Sequence, residues 1–306
     1  MDLRTLRAFV EVVRRGGFSA AAEAIHASQP TVSKAVKQLE EELGAPLLDR
    51  LGHEIRMTAM GEVVYRRAQV MLAERDNLIA ELAELRGLRR GRLRIGIPQL
   101  GSSIIFAPLV TQYRRRYPEI DIDLVEQGSN RLKDAVRAGE IELAASIAPI
   151  EDEFARLSLR DEPLMLLLPP GHRLAGRQKV RLAELQEDNF ILFEAGFALN
   201  SLIVEACRKR GFTPREAARS SQPDFIMVLV ATGLGVALLP RLVTASHSDL
   251  PVQLALLDEP DVRWQLSLIW RRGAALSPAA RAWLDLVQSD GLQSDGQGKQ
   301  SASMTK

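Results

Sequence analysis

Residues 18–43 read FSAAAEAIHASQPTVSKAVKQLEEEL, and two features of this stretch decide what the start of the chain must be. Its first seven residues are short and rich in alanine, as a helix must be if it crosses a neighbour over a tight turn with the backbones close. Ser28 then stands as a capping residue ahead of another helix, with Pro30 in the first turn, where its missing N–H costs nothing. Val32, Val36, Leu39 and Leu43 recur at steps of four, three and four and form the inward stripe. The outward face at the helix start carries Gln29, Thr31, Ser33, Lys34, Lys37 and Gln38, while the carboxylates Glu40, Glu41 and Glu42 are held back at the far end. That distribution suits a helix whose N-terminal turns enter the major groove, its dipole favouring phosphate. The same periodicity also fits a three-helix bundle with a solvated polar face.

Upstream, Leu3, Leu6, Phe9, Val10 and Val13 share one face and predict a helix over residues 3–15. Downstream, residues 50–57 place Gly52-His53-Glu54 between two short runs, a small hairpin that would set Arg56 against the DNA backbone or minor groove. From Thr58, an N-cap residue type, one helical pattern runs unbroken to residue 88. In it Val64, Ala68, Met71, Arg75, Leu78, Leu82 and Leu85 alternate at steps of four and three, the period of about 3.5 residues of a coiled-coil seam. Self-dimerisation along Val64, Ala68, Met71, Leu78, Leu82 and Leu85 is expected, with Arg75 the polar blemish; a helix packed on its own domain is the alternative.

From Gly91 onward strands alternate with helices, the pattern of a parallel sheet with crossover helices. Strands are expected at 93–97, 120–126 and 141–147 with helices at 103–117 and 130–138, then a second set with strands at 164–168, 190–193 and 236–239 and helices at 199–210 and 224–231. A strand near 264–270 and a helix from 278 to 288 return to the first lobe. The expected organisation is an all-α winged helix-turn-helix over 1–57, a linker and dimerisation helix over 58–88, and an α/β two-lobed domain over 91–290. Lobe I covers about 91–161 and 268–290, lobe II about 162–267. The polar tail 291–306 has almost nothing to bury and is expected to be disordered.

Composition limits the function. At 306 residues the chain exceeds one ordinary domain of about 100–200 residues, and 46% apolar with 26% charged residues is usual for a globular protein. The net charge of +1 argues nothing for nucleic acid. Within the first sixty residues the cations Arg4, Arg7, Arg14, Arg15, Lys34, Lys37, Arg50 and Arg56 are cancelled by Asp2, Glu11, Glu23, Glu40, Glu41, Glu42, Asp49 and Glu54. A DNA argument therefore rests on where charges sit, not on their sum. No basic-then-apolar leader opens the sequence and no apolar run reaches the roughly 18 residues of a spanning helix, so a cytoplasmic protein without a membrane partner is expected. Cys207 is alone, which excludes an internal disulfide. His26, His53, His172 and His247 lie far apart, with no zinc spacing, nucleophile elbow or Walker loop, so neither metal nor enzyme is expected. A solute-binding protein would explain two lobes but needs export and has no use for residues 1–88.

The residues then become more specific. Phe18-Ser19-Ala20-Ala21-Ala22-Glu23, Ser28-Gln29-Pro30-Thr31-Val32-Ser33, Gln38-Leu39-Glu40, Leu43-Gly44 with Pro46-Leu47-Leu48 and Arg50, then Thr58 and Gly61, resemble the N-terminal signature of the LysR-type transcriptional regulators. Tyr117-Pro118, Gln127-Gly128-Ser129 and residues 230–236 ahead of Leu239-Pro240 resemble that family's effector domain, leaving only the tail outside. The resemblance implies a sequence-specific DNA-binding transcriptional regulator with promoter or operator DNA as partner, and RNA polymerase as a further candidate. It implies a homodimer or homotetramer reading an interrupted dyad, and a small-molecule effector between the lobes of a type 2 periplasmic-binding-protein-like domain. By the same resemblance Gln29, Pro30, Thr31, Ser33 and Lys34 meet bases or nearby phosphates, and Arg50, Arg56 and Thr58 meet the backbone. Leu48, Met57 and Lys34 depart from the family's usual Phe, Leu and Arg. A lysine there gives a less directional contact than arginine's fork.

For the effector, the loop 98–103 opens a helix whose free N–H groups, Gly101 and the hydroxyls of Ser102 and Ser103 beside Gln99 make a seat for a carboxylate. Gly128 and Ser129 begin the next helix at the same sheet edge, and the loop 193–201 brings Phe197 and Asn200 from the second lobe. Serine and asparagine at helix starts also serve as plain caps, and Phe197 fits a core or lid as well as a ligand wall. No cofactor is expected; the effector is expected to be a small anion, a carboxylate being the simplest.

Overall fold

The computed structural model describes residues 1–49, 55–85, 91–245 and 250–289. It divides into two compact units, residues 1–90 with the short segments 137–141 and 275–278, and the remainder from residue 91.

The first unit contains α1 (Leu3–Arg15), α2 (Phe18–Ala24), α3 (Gln29–Leu43), β1 (Leu48–Asp49), β2 (Arg56–Met57) and α4 (Ala59–Leu85). α1 begins at Asp2, whose carboxylate accepts the N–H groups of Arg4 and Thr5 at 2.9 and 2.8 Å. Ser28 caps α3, its hydroxyl accepting from the Thr31 N–H at 3.4 Å. Phe9, Val12, Ala21, Val32, Val36, Leu39 and Leu47 are wholly buried together, so the alanine at 21 is where two helices meet. β1 and β2 pair antiparallel with Leu48 opposite Met57 and Asp49 opposite Arg56. This is the stem of the expected wing; its tip and Arg50 lie outside the described residues. The Thr58 hydroxyl donates to the Pro46 carbonyl at 2.8 Å and accepts the Gly61 N–H at 2.9 Å, starting α4. Gly61 is required there, because a Cβ would overlap the Leu47 carbonyl oxygen.

The expected seam along α4 is corrected at its start. Ala68 is buried in the same core, with Val64, Tyr65 and Leu72 packed against it and the Tyr65 ring edge-on to Phe9 at 6.3 Å. The first turns of the seam are therefore spent within the unit. Met71, Leu78 and Leu82 remain 44%, 57% and 47% exposed, and the Leu85 side chain falls outside the description.

The second unit runs β3 (Gly91–Pro98), α5 (Ser102–Arg116), β4 (Ile120–Gln127), α6 (Ser129–Ala138), β5 (Leu143–Ile147), β6 (Phe154–Leu168), β7 (Lys179–Val180), a 3-10 turn (Leu182–Leu185), β8 (Asn189–Phe193), α7 (Ala198–Lys209), β9 (Arg215–Ser220), α8 (Pro223–Ala231), β10 (Ala237–Pro240), α9 (Arg241–Thr244), β11 (Gln253–Leu257), β12 (Arg263–Arg271) and α10 (Pro278–Ser289). The large sheet has the order β4-β3-β5-β12-β6-β11-β7, with β10 also on β6. β3 pairs parallel with β4 and β5, whereas β12 is antiparallel to both β5 and β6. The sheet is thus mixed where the sequence suggested a parallel one.

β6 explains the difference. Its first ten residues pair with β12 and its last five with β10 and β11, so it carries the chain from one lobe to the other and β12 brings it back. α10 then lies on α5, with Trp283 and Tyr113 rings 5.3 Å apart and the Tyr113 hydroxyl donating to the Ala279 carbonyl at 2.8 Å. No described helix is long and apolar enough to cross a membrane.

Candidate DNA interface and effector cleft

α3 presents its polar face as its spacing requires. Val32, Val36 and Leu39 face inward without any exposure, while Gln29, Pro30, Thr31, Lys34 and Lys37 are exposed and Ser33 is half-buried. The acidic end is not idle. Glu40 turns back so that its carboxylate accepts the N–H groups of Leu47 at 2.8 Å and Leu48 at 3.2 Å, fixing the chain where it enters β1. Glu41 pairs with Lys37 at 3.6 Å, both side chains more than half exposed. Such a surface pair contributes little, and the ammonium exchanges readily to a phosphate. Arg56 is exposed on β2. Thr58 stands differently from its expected role, because its hydroxyl is occupied by Pro46 and Gly61; it positions α4 and the wing.

In the second unit four of the expected effector residues converge. Gln99, Gly128, Ser129 and Phe197 line a chamber of about 10 Å³, together with Pro98, Leu100, Ile147, Leu199 and Trp264. Ser129 is 6% exposed, and its hydroxyl and the Gln99 amide have no hydrogen-bond partner among the described residues. These are the uncommitted polar side chains of an otherwise apolar, aromatic wall. Phe197 stacks on Phe193 at 4.9 Å between centroids, 18° from parallel.

The other four are placed elsewhere. The Ser102 hydroxyl donates to the Glu126 carboxylate at 3.2 Å, with the Gln99 carbonyl at 3.3 Å, so its proton is already engaged by acceptors. Ser102, Ser103 and Gly101 are not on the chamber wall, and Gly101 instead backs onto Trp264. Asn200 uses its amide to hold both backbone groups of Phe193, accepting at 3.1 Å and donating at 2.9 Å. Trp264, on a strand more than sixty residues downstream of Phe197 in the chain, carried no local signal for its place on this wall.

Among the described residues no group of three His, Cys, Asp or Glu side chains is arranged to hold a metal. Cys207 is buried on α7, and burial pushes its thiol up to about 12. His172 lies 3.1 Å from Asp188, a structural contact away from both sites.

The family described as "LysR substrate binding domain" matches residues 86–291, and "Bacterial regulatory helix-turn-helix protein, lysR family" matches residues 3–62. The uncharacterized HTH-type transcriptional regulator YwbI of Bacillus subtilis is 37% identical, over 94% of this chain and 96% of its own length. The RuBisCO operon transcriptional regulator of Allochromatium vinosum is 31% identical, over 95% and 96%. Among solved structures, a full-length OxyR variant of Pseudomonas aeruginosa superposes with a TM-score of 0.75 at 26% identity, covering 99% of each chain.

Proposed function

This chain belongs to the LysR family of DNA-binding transcriptional regulators with an effector-binding domain, and from that premise we propose that it reads an operator with the first turns of α3 and is switched by a small organic anion. The relatives are regulators of transcription, not enzymes. The observation that carries the DNA reading is the exposed, acid-free start of α3, from Gln29 to Lys34, on a helix whose Glu40 is turned away to the chain entering β1. Gln29, Thr31, Ser33 and Lys34 meet base edges or nearby phosphates, and Arg56, with Arg50, meets the backbone. Thr58 acts by position.

The effector enters where the loops at Gly128 and Gly196 part and widen the chamber; there the Ser129 hydroxyl, the Gln99 amide and the N–H groups opening α6 receive its negative group, and Phe197 and Trp264 its apolar body. Self-association supports the reading of a dyad. Met71, Leu78 and Leu82 on α4, and Phe225 and Val228 on α8, are large apolar side chains left 41–57% exposed, as faces awaiting a second copy are. The effector acts by binding one arrangement of the oligomer more tightly than another. RNA polymerase is the natural further partner of a promoter-bound regulator, and the cytoplasm its place of work.

Fluorescence anisotropy with a duplex carrying the gene's own upstream region tests this. Lys34→Ala should weaken binding about tenfold and lower the slope of affinity against salt by about one. Thermal-shift screening of small carboxylates against their neutral amides, on the full chain and on Ser129→Ala, tests the effector. A monomer indifferent to that duplex overturns the reading of DNA recognition.

A further inference from the structure

The segment 137–141, where α6 ends, belongs to the first compact unit, whereas Ser129, where α6 begins, stands on the chamber wall. Within the first unit this segment lies against the middle of α4. Gly139 turns the chain with a φ of 76°, and a Cβ there would stand 3.4–3.6 Å from the side chain, Cα and N of Val70. Beside it the Gln69 amide, 7% exposed, donates to the Glu140 carboxylate at 2.9 Å. The Gln69 carbonyl oxygen is buried with no hydrogen-bond partner among the described residues. A buried polar group left half-satisfied weakens the contact that holds it, so this seat hangs on one hydrogen bond and is easily released.

The seat reaches the helix-turn-helix through Tyr65, one turn of α4 earlier. Burial first, and the Glu140 carboxylate next, push its phenol above the ordinary value. Its ring meets Phe9 edge-on at 6.3 Å, and Phe9 is wholly buried on α1, which packs on α3. At the other end of α6 the Gly128 carbonyl accepts the Leu132 N–H at 3.1 Å, which binds Gly128 into the first turn. Between the two ends run ten helical residues, about 15 Å in length, with Leu132 and Val136 buried along one side. A helix packed in this way shifts as one body.

We propose that α6 is a strut coupling the chamber to α4: when the loops at Gly128 and Gly196 part, the start of α6 is displaced and the Gly139–Glu140 seat on Val70 and Gln69 is released. α4 then holds Tyr65 and α1 less firmly, and α3 grips its operator less tightly. The inference rests on the chamber being where the effector enters, and it names how that entry reaches DNA. The seat, engaged or released, supplies the two conditions between which an effector discriminates.

Substitutions at the two ends test the strut without a ligand, on the full chain. Gly128→Ala parts the loops and should weaken binding of a duplex carrying the gene's own upstream region about fivefold. Gln69→Glu sets two carboxylates against each other at the seat and should weaken it by a similar factor. Combined, the two should weaken it no further, because nothing is left to release. Gln69→Glu with Glu140→Gln exchanges the partners, and should restore both the affinity and its response to Gly128→Ala. Hydrogen exchange of the α4 amides from Ala68 to Leu72 needs neither ligand nor DNA. It should quicken about fivefold in each single variant and stay at the parent's rate in the exchanged pair. Ser129→Val, which fills the chamber from the first residue of α6, is a second perturbation and should act as Gly128→Ala does. The proposal falls if the effects multiply in the double variant, if the exchanged pair is as weak as Gln69→Glu, or if the α4 amides ignore both chamber variants. Carboxylates that fail to bind the chamber would strike the effector reading alone, since none of these measurements uses one.

Discussion

The backbone of Gly128 in one lobe meets the carbonyl oxygen of Gly196 in the other so closely that a Cβ at residue 128 would stand 2.8 Å from that oxygen. Both are backbone groups, so no flexible side chain can give way, and the chamber behind them is reduced to about 10 Å³. Gly128→Ala should push the loops at 128 and 196 apart and lower stability by about 1–3 kcal/mol, the usual cost of overpacking. Urea denaturation measures it. An unchanged midpoint would mean that the two loops are not in contact in solution.

Glu40 supplies the second prediction. One carboxylate oxygen takes the N–H groups of Leu47 and Leu48, both leucines being buried, so its removal leaves two backbone donors without a partner. Glu40→Ala should cost about 1–3 kcal/mol and weaken operator binding by loosening the wing. Glu40→Gln keeps an acceptor at the same place and should restore most of both. A glutamine variant as impaired as alanine would assign Glu40 a role through charge instead.

The contrast between Glu40 and its neighbours shows what can be read without coordinates. The stripe Val32, Val36 and Leu39, the cap Ser28 and the stop at Gly44 are local, and α3 begins and ends where they place it. The strand β6 was legible only in its last five residues. Among its first ten, Arg156, Ser158 and Asp161 are exposed and Arg160 and Glu162 interrupt the rest, so the hydrophobic run is missing. β9, reading Arg-Glu-Ala-Ala-Arg-Ser, is a strand only because β8 pairs with it. The chamber divides in the same way. Gln99, Gly128, Ser129 and Phe197 follow from the rule that ligands sit at strand ends. Whether Ser102 faces that space or Glu126, twenty-four residues away, is settled by a tertiary contact that no local pattern encodes.

Cys207 gives a third expectation. Its thiol has no exposed surface and is pushed up to about 12 by burial, so the reactive thiolate is scarce at neutral pH. Ellman's reagent should find no reactive thiol in the native chain and one equivalent after denaturation. Cys207→Ala should leave DNA binding insensitive to oxidant to the same degree as the parent. Rapid labelling of the native chain would contradict the burial of α7 at this position.

Arg210 links the end of α7 to the loop before β12, bonding Glu259 at 2.5 Å and Asp261 at 2.7 Å. Those hydrogen bonds hold both carboxyls below their ordinary values of 4.5 and 3.8. Groups depressed in the folded state contribute stability that is complete above the ordinary carboxylate range. It is lost as pH falls through those ordinary values toward the lowered ones. Glu259 also accepts the Leu182 N–H at 2.9 Å, so its protonation loosens the 3-10 turn as well. Arg210→Met should therefore cost about 1–2 kcal/mol near neutrality, the pair being only partly screened by solvent. The gap between variant and parent should narrow as pH falls below about 5, because acid removes from the parent what the substitution has already removed. Urea denaturation of both proteins across that interval measures the gap, and two curves that stay parallel would show that Arg210 does not set these carboxyls.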